Sequence, residues 1–399
     1  MAPVLQASSA SQTPHFSPAE LSYLYTSLSL PDGPIRPDGR SPTQFRPLTA
    51  ETGILPGANG SARIGFADGT EAIVGVKAEV EKTVLSTDAL DLRQLQEQEQ
   101  HDDYGDEDAG EGREGSHAAA GQSSWVQMSI EIPGFREDDA LPVFLSEMLR
   151  ESLVGSSTGA GSDADKGMAG GLKRRLVINR RWHWRLYIDI LLLSPPLSYP
   201  LPLLSLTTHL ALLSTKLPKL KSQGEEDPFF EDDWEVAEYL YPRSSNKKLP
   251  VSSFNPQQAR PPVTLLVISA GDNIIFDPSR EEIAVADAIL AVSVGREDAK
   301  DGSDAGLKLL SIRTIDPPSR LTQPGVPDSE NVTTLGSTAA AEEAVIANQS
   351  TGEEEVPGVW RPRRGGVKRS LISRMVKMVL EKGGVGDEVM EGLESVEVG

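Results

Sequence analysis

The carboxylates whose spacing comes closest to that of a metal site are Asp277, Glu281 and Glu282. Oxygen atoms from such a cluster could hold a divalent cation. The same residues also suit a turn followed by the start of a helix. Asp277 is followed by proline, which favours a turn, and early acidic residues stabilise the first turn of a helix. We favour the turn and helix start, so we predict no metal site and no cofactor.

Other common catalytic groups are scarce or poorly placed. The chain has no cysteine, which excludes a disulfide framework, a thiolate metal site and a cysteine nucleophile. Its five histidines lack the spacing of a zinc site. We expect His183 and His209 to be packing residues. Asp189 interrupts an apolar run, and a buried carboxylate needs partners, so we predict a structural role or a place at an interface.

The acidic residues are concentrated in two segments. Residues 88–114 hold 11 acidic and 2 basic residues, and residues 225–238 hold 8 acidic residues and no basic one. They account for −17 of the formal net charge of −21. The low global pI therefore describes these segments and does not exclude a basic surface elsewhere.

The elements that must position these residues can be predicted from local signals. Ser17-Pro18-Ala19-Glu20 is a capping box that predicts a helix through about residue 29. Glycine-containing pairs predict tight turns between strands within residues 35–80. These pairs are Asp38-Gly39, Asn59-Gly60 and Asp68-Gly69.

Periodicity predicts further elements along the chain. Helices are expected at residues 138–153, 201–215 and 367–382. Strands are expected at residues 125–132, 185–193, 263–269, 273–277, 283–294 and 307–312, with residues 176–178 pairing to the strand at 185–193. The strand at 185–193 is apolar on both faces, which is typical of a central strand.

Composition divides the chain into two domains with long polar insertions. The predicted parts are a disordered tail at 1–16, domain 1 at 17–220, an acidic linker at 221–248, domain 2 at 249–385 and a second tail at 386–399. Insertions are expected at residues 88–121 and 155–171 in the first domain, and at 296–306 and 316–366 in the second.

Neither end of the chain nor its interior indicates a membrane. The first residues lack the basic and apolar regions of a secretory signal. The most apolar run, residues 186–193, is too short to cross a bilayer. We expect a soluble protein with no membrane partner.

Four stretches, in this order, resemble the RNase PH family. This family contains phosphate-dependent 3′→5′ exoribonucleases and inactive relatives in the ring of the RNA exosome. The stretches are residues 35–80 with the turn Arg36-Pro37-Asp38-Gly39-Arg40, residues 134–150, residues 184–193 with the following helix, and residues 277–282. The resemblance covers about half of the chain. It implies an α+β fold of two RNase PH-like (ribosomal protein S5 domain 2-like) lobes, here with long disordered insertions.

The resemblance also shows where catalytic residues would lie. Active relatives hold phosphate at a Gly-Thr-Arg turn after the central strand, and they carry two Asp residues just before the first long strand of the second half. Here the turn, residues 194–200, contains neither Gly nor Arg, and its prolines remove N–H donors. Arg260 stands where the second Asp is expected. We therefore predict no catalytic residue and no enzymatic activity.

The resemblance identifies cations that could contact RNA. Arg136 and Arg150 lie on segments that resemble the channel-facing helix of the family, and we add Arg260 as a third RNA contact. Such contacts are salt-dependent and largely independent of base sequence. A solvated helix end would explain Arg150 equally well. The basic and aromatic run at 173–184 and the basic run at 361–382 suit RNA or a solvated surface.

The function implied by the resemblance is that of a non-catalytic structural subunit of the exosome ring. It would support 3′→5′ RNA processing and decay, including maturation of ribosomal RNA. Its partners would be other RNase PH-like ring subunits, S1/KH cap subunits and RNA, in a hetero-oligomer of nucleolus, nucleus and cytoplasm. Two alternatives remain open: an active phosphorolytic exoribonuclease with non-standard residues, and a free RNA-binding adaptor.

Overall fold

The computed structural model describes residues 16–83, 121–155, 172–173, 175–222, 224, 226–241, 260–296, 306–315 and 367–398. The first fifteen residues of the predicted N-terminal tail lie outside this description. The predicted insertions lie outside it too, apart from residues at their boundaries. Among the described residues, no helix is long and apolar enough to span a membrane.

The protein combines antiparallel and mixed sheets with helices in an α+β arrangement, as predicted. The described helices are α1 (Pro18–Leu28), α2 (Ala140–Val154), α3 (Leu201–Ser214), α4 (Arg280–Ala284), α5 (Arg369–Leu380) and α6 (Val385–Glu394). The main strands are β1 (Leu48–Thr52), β2 (Gly60–Phe66), β3 (Glu71–Lys82), β4 (Val126–Glu131) and β5 (Trp182–Leu192) in the first half.

The remaining strands begin with a short pair and then form the second half. They are β6 (Lys216–Leu217), β7 (Glu238–Tyr239), β8 (Val263–Ala270), β9 (Asn273–Phe276), β10 (Ala288–Arg296) and β11 (Leu307–Ile315). The first sheet has the order β1-β2-β3-β5-β4, the second has the order β11-β10-β8-β9, and β6 pairs with β7. β5 pairs antiparallel with β3 and parallel with β4, so it is a central strand, as predicted.

Helix α3 lies between the two sheets and is buried on every side. It contacts β2 and β3 of the first sheet and β8 of the second. All of its residues are buried, including the polar Ser205 and His209. Their polar atoms are bonded across to the second half, because Ser205 Oγ accepts from Thr264 N at 2.7 Å and His209 Nδ1 lies 2.8 Å from Pro261 O.

One hydrophobic core therefore joins residues from both halves of the chain. The close approach of α3 to the first sheet depends on Gly60. A Cβ atom at that position would lie 2.5 Å from the Cα atom of Thr215, the residue that follows α3. The division into two domains stays a prediction, since the halves share this helix.

Three local predictions were wrong. Of the three predicted tight turns, only Asp68-Gly69 links paired neighbouring strands, and residues 53–59 form a longer connection before β2. The strand predicted at 283–294 begins at Ala288, because the preceding residues form helix α4 with a capping box at Ser279 and Glu282. The predicted tail after residue 385 contains α6, whose Met390 and Leu393 are buried.

The predicted acidic linker at 221–248 is ordered structure in its described part. Residues 229–231 bond to residues 219–222, and β7 pairs with β6. Leu240 and Tyr241 are buried in the core. This stretch therefore packs on the first half of the protein and is not an extended linker between the two halves.

Candidate functional site

The turn at residues 194–200 occupies the place where active members of the resembling family hold phosphate. It connects β5 to α3. Three of its residues, Pro195, Pro196 and Pro200, have no backbone N–H to offer to an anion. Ser194 Oγ accepts from Glu71 N and donates to Gly69 O, both at 3.4 Å, so the turn is closed against the β2–β3 hairpin.

Arg46 reaches this turn, but its positive charge is already paired with carboxylates of the protein. Its Nη1 donates to Ser198 Oγ at 2.8 Å and pairs with Asp68 Oδ2 at 2.6 Å. Its Nη2 lies 2.7 Å from Asp277 Oδ1. Burial alone would lower the pKa of Arg46, but the hydrogen bonds and charges of these two carboxylates raise it above its ordinary value. The guanidinium is therefore a permanently charged internal partner rather than an open anion site.

The resemblance places Arg260 at the position where active relatives carry their second Asp. Its side chain is 8% exposed, and its Nε lies 3.4 Å from Glu394 Oε1 on α6. Its backbone N donates to Arg296 O at 3.0 Å. Arg296 pairs in turn with Asp387 at 3.3 Å. Arg260 is thus part of an ion-pair network that fastens α6 to the second sheet.

The carboxylates first considered as a metal cluster face a set of arginines. Glu282 is fully buried and receives two hydrogen bonds from Arg36, at 2.7 Å and 2.8 Å. Asp277 is also fully buried, and it pairs with Arg40 at 2.7 Å and with Arg46 at 2.7 Å. Asp277 adopts a φ of 45°, which is uncommon for a residue other than glycine.

These five residues form an internal clamp between the two halves. They are Arg36, Arg40, Arg46, Asp277 and Glu282. The capping box at Ser279 and Glu282 is present, which confirms the predicted helix start. Among the described residues, no group of three or more His, Asp or Glu side chains could hold a metal ion. The sequence showed the basic turn and the acidic run separately, but not their pairing across more than two hundred residues.

Two of the predicted RNA contacts lie at opposite ends of α2. Arg136 precedes the helix, with its side chain 81% exposed and 3.1 Å from Asp138. Arg150 lies near the end of the helix and bonds to both carboxylate oxygens of Glu147, at 2.7 Å and 2.9 Å. The helix begins at Ala140 and, at 1.5 Å per residue, places Arg150 about 15 Å beyond its start, while Arg136 lies before that start.

The charges of Arg150 and Arg260 each act on a neighbouring cation. Burial lowers the pKa of Lys173, and the positive charge of Arg150 lowers it further. Burial also lowers the pKa of Arg175, and the charge of Arg260 adds to that effect. Arg150 thus lies near Lys173, and Arg260 lies near Arg175. RNA binding by any of them stays a prediction.

The aromatic residues of the basic run are engaged in packing. Trp182 Nε1 donates to Asp227 at 3.2 Å. Trp184 is buried against Phe230, with ring centroids 5.0 Å apart. His183 is buried and stacks on Trp125 at 4.1 Å, and His209 is fully buried, which confirms both as packing residues.

The first sheet has one covered and one open face. Helices α2 and α3 pack on the side that carries Leu186, Ile188 and Ile190 of β5. On the opposite side Asp189 is exposed and Leu191 is 41% exposed, so this central strand has one face open to solvent. Leu193, just after the strand, is 43% exposed. The open face is a candidate contact surface.

Curated relatives decide the family. The exosome complex component RRP42 of Saccharomyces cerevisiae is 30% identical to this chain over 277 residues, which are 69% of the chain and 80% of the relative. The chain belongs to the RRP42 family. The RRP42 protein of Schizosaccharomyces pombe is also 30% identical, over 279 residues that cover 69% of this chain and 77% of that protein. The predicted membership of the RNase PH group and its α+β fold are confirmed.

Chains of solved exosome structures match as well. An archaeal exosome core matches with a TM-score of 0.43 and 16% identity, over 82% of this chain and 90% of that one. An Archaeoglobus fulgidus exosome with RNA bound to the active site matches with a TM-score of 0.44 and 18% identity, over 82% and 92% of the two chains. No family model matches the chain.

Proposed function

We propose that this RRP42-family chain is a non-catalytic structural subunit of the RNA exosome ring. It supports 3′→5′ processing and decay of RNA, including maturation of ribosomal RNA. One observation carries the proposal. At both positions where active relatives hold catalytic or phosphate-binding residues, the residues of this chain are bonded to other parts of the same chain. The turn at 194–200 is closed by hydrogen bonds, and Arg260 is paired with Glu394.

The lack of activity follows from the chemistry of phosphorolysis. Attack by phosphate on a phosphodiester needs free cations to hold two anions and a free acid to protonate the leaving oxygen. At the turn, the arginine that comes near is paired with Asp68 and Asp277. The three residues directly before β8 are Arg260, Pro261 and Pro262, none of which can donate that proton.

The open face of the first sheet supports a place in a ring. Leu191 and Leu193 expose 41% and 43% of their surfaces there, beside the charged Asp189. Burying such apolar surface against a neighbour stabilises an assembly by about 25 cal/mol per Å² before the costs of association. We propose RNase PH-like ring subunits as the neighbours and S1/KH proteins as the cap.

RNA would pass the cations near α2. Arg136 has an exposed guanidinium, and Arg150 lies near Lys173, whose pKa its charge lowers. Arg260 could join them only if its pair with Glu394 opened. For a subunit with this role we propose a nucleolar, nuclear and cytoplasmic distribution, which imaging of a fluorescently tagged full chain would test.

The test is reconstitution with and without phosphate. The chain is co-expressed with RNase PH-like ring partners, the assembly is isolated by size-exclusion chromatography, and shortening of a labelled RNA is followed. A stable ring that releases no nucleoside diphosphates through this subunit is the expected result. Phosphate-dependent release that disappears when Arg150 or Arg260 is replaced would overturn the inactive assignment. RNA binding by the isolated monomer, with no ring formed, would favour the adaptor.

A further inference from the structure

The segment at residues 216–241 carries a small structure that the ring proposal does not use. Residues 219–222 bond to residues 229–231, and further along β6 pairs with β7. Residues 232–237 bulge out between these two paired regions and contain a single helical turn, Trp234–Val236. Asp233 caps that turn by accepting a hydrogen bond from Glu235 N at 2.9 Å. We call residues 232–237 the acidic bulge.

The base of the acidic bulge is firmly attached to the protein. Phe230 packs on Trp184, Asp227 accepts a hydrogen bond from Trp182 at 3.2 Å, and Tyr241 is buried. These contacts fix the segment on both sides of the bulge. The side chains at its tip are therefore displayed from a rigid support, which lowers the entropy lost when a partner binds.

The tip of the acidic bulge carries both exposed apolar side chains and carboxylates. Trp234 is 49% exposed and Val236 is 43% exposed. Outside the bulge, lysines sit over Phe229 and Tyr239 and form ion pairs with Glu231 and Glu238. In the described part of the chain, no basic side chain forms an ion pair with Asp232, Asp233 or Glu235.

We propose that the acidic bulge binds an arginine-rich segment of a partner protein. An exposed tryptophan is the residue type most often dominant in protein interfaces. Arginine suits this surface better than lysine, because its planar guanidinium can stack on the indole of Trp234 while its N–H groups pair with the carboxylates of Asp232 and Glu235. The negative charge of the surface repels RNA. The acidic bulge shares no residue with the open sheet face.

The experiment uses the full chain and a synthetic probe. The probe is a fluorescein-labelled peptide of about twelve residues in which Arg alternates with Leu and Ser, and its binding is followed by fluorescence anisotropy. The variants Trp234→Ala and Asp232→Asn/Glu235→Gln remove the aromatic and the charged part of the surface. Tyr23→Ala, which removes another exposed aromatic residue, and Glu131→Gln/Glu137→Gln, which removes two exposed carboxylates elsewhere, are the matched controls.

We expect the arginine peptide to bind the wild-type chain and both controls equally. Trp234→Ala should weaken binding at least tenfold, the double charge variant should weaken it and flatten its salt dependence, and a lysine version of the peptide should bind less tightly. Equal affinity for wild type and Trp234→Ala would overturn the proposal. So would Trp234-dependent binding of a single-stranded RNA, or Trp234-dependent self-association without peptide binding.

Discussion

The Nε atom of Arg36 lies 2.7 Å from Oε1 of Glu282, and both side chains are completely buried. The two residues are 246 positions apart in the chain. A buried charge that loses its partner is strongly destabilising, because the remaining ion has neither water nor a counter-charge. This pair therefore ties the segment before the first sheet to the segment after β9.

Replacing Glu282 with glutamine should lower the free energy of unfolding by about 3 kcal/mol. Glutamine keeps the size of the side chain and can still cap α4, so the change isolates the lost negative charge. Urea unfolding followed by circular dichroism measures the effect. Glu281→Gln, one position earlier in the same helix, is the control and should change stability by less than about 0.5 kcal/mol. Equal unfolding midpoints for the two variants would show that the clamp adds nothing.

Replacing Gly60 with alanine should destabilise the protein by about 1–3 kcal/mol, because the backbone of Thr215 must move to admit a Cβ atom. The measurement is again urea unfolding. Gly57→Ala serves as the matched control, since a Cβ atom there meets nothing within 4 Å. If both variants unfold at the same urea concentration, α3 does not depend on the close approach at β2.

His183 should make stability depend on pH. Burial lowers the pKa of His183 below its ordinary value of 6.5, while the charge of Glu81 acts in the opposite direction. Between the folded pKa and 6.5 the unfolded chain binds the proton more readily than the folded chain. The stability that the neutral His183 side chain contributes is therefore complete above about pH 6.5. It is lost as the pH falls through the pKa that His183 has in the folded protein.

The measurement compares unfolding of the wild type and His183→Gln at about pH 7.5 and pH 5. The wild type should lose more stability between the two pH values than the variant does. If the wild type and the variant lose the same stability, protonation of carboxylates and not of His183 causes the loss of stability at low pH.

The substitution Leu191→Arg should prevent co-purification with ring partners and leave the unfolding midpoint of the isolated chain unchanged. The side chain already contacts water, so arginine is tolerated in the monomer but unfavourable in an apolar interface. Val143→Arg, on an exposed position of α2, is the control for an added surface charge. Normal assembly of the Leu191 variant would exclude this part of the sheet face from the contact.

Much of the fold could be predicted because its signals are local. The capping box at Ser17 and Glu20 marks the start of α1, and Asp68-Gly69 marks the β2–β3 turn. Apolar periodicity placed α2 and α3 within two residues of their observed ends. These signals work because each element is shaped by neighbours in the chain.

The parts that could not be predicted depend on distant partners or weak patterns. Asp277 looks like a turn residue until Arg40 and Arg46 are placed beside it. Helix α6 begins with Gly384 as its N-cap and is rich in acidic residues, and both features are also typical of a terminal tail. Its apolar residues at 385, 389, 390 and 393 follow a helical spacing that could have revealed it.

Similar limits apply to the candidate site. The departure from the active pattern was visible in the prolines at residues 194–200 and in Arg260. The sequence did not show why nearby charges cannot replace the missing catalytic groups. Arg46 and Glu394 are distant in sequence from the groups that they contact. The exposed tip of the acidic bulge was also missed, since its composition alone predicts only a solvated linker.

The position of α3 has a consequence for how the protein is made. One side of this helix is covered by the first sheet, but the other needs β8, which emerges from the ribosome about fifty residues later. At about 5–20 residues per second, a leucine-rich surface stays uncovered for several seconds during translation. The nascent chain is thus a client for holding chaperones over that interval, and a ribosome that stalls between the two elements would release an aggregation-prone fragment.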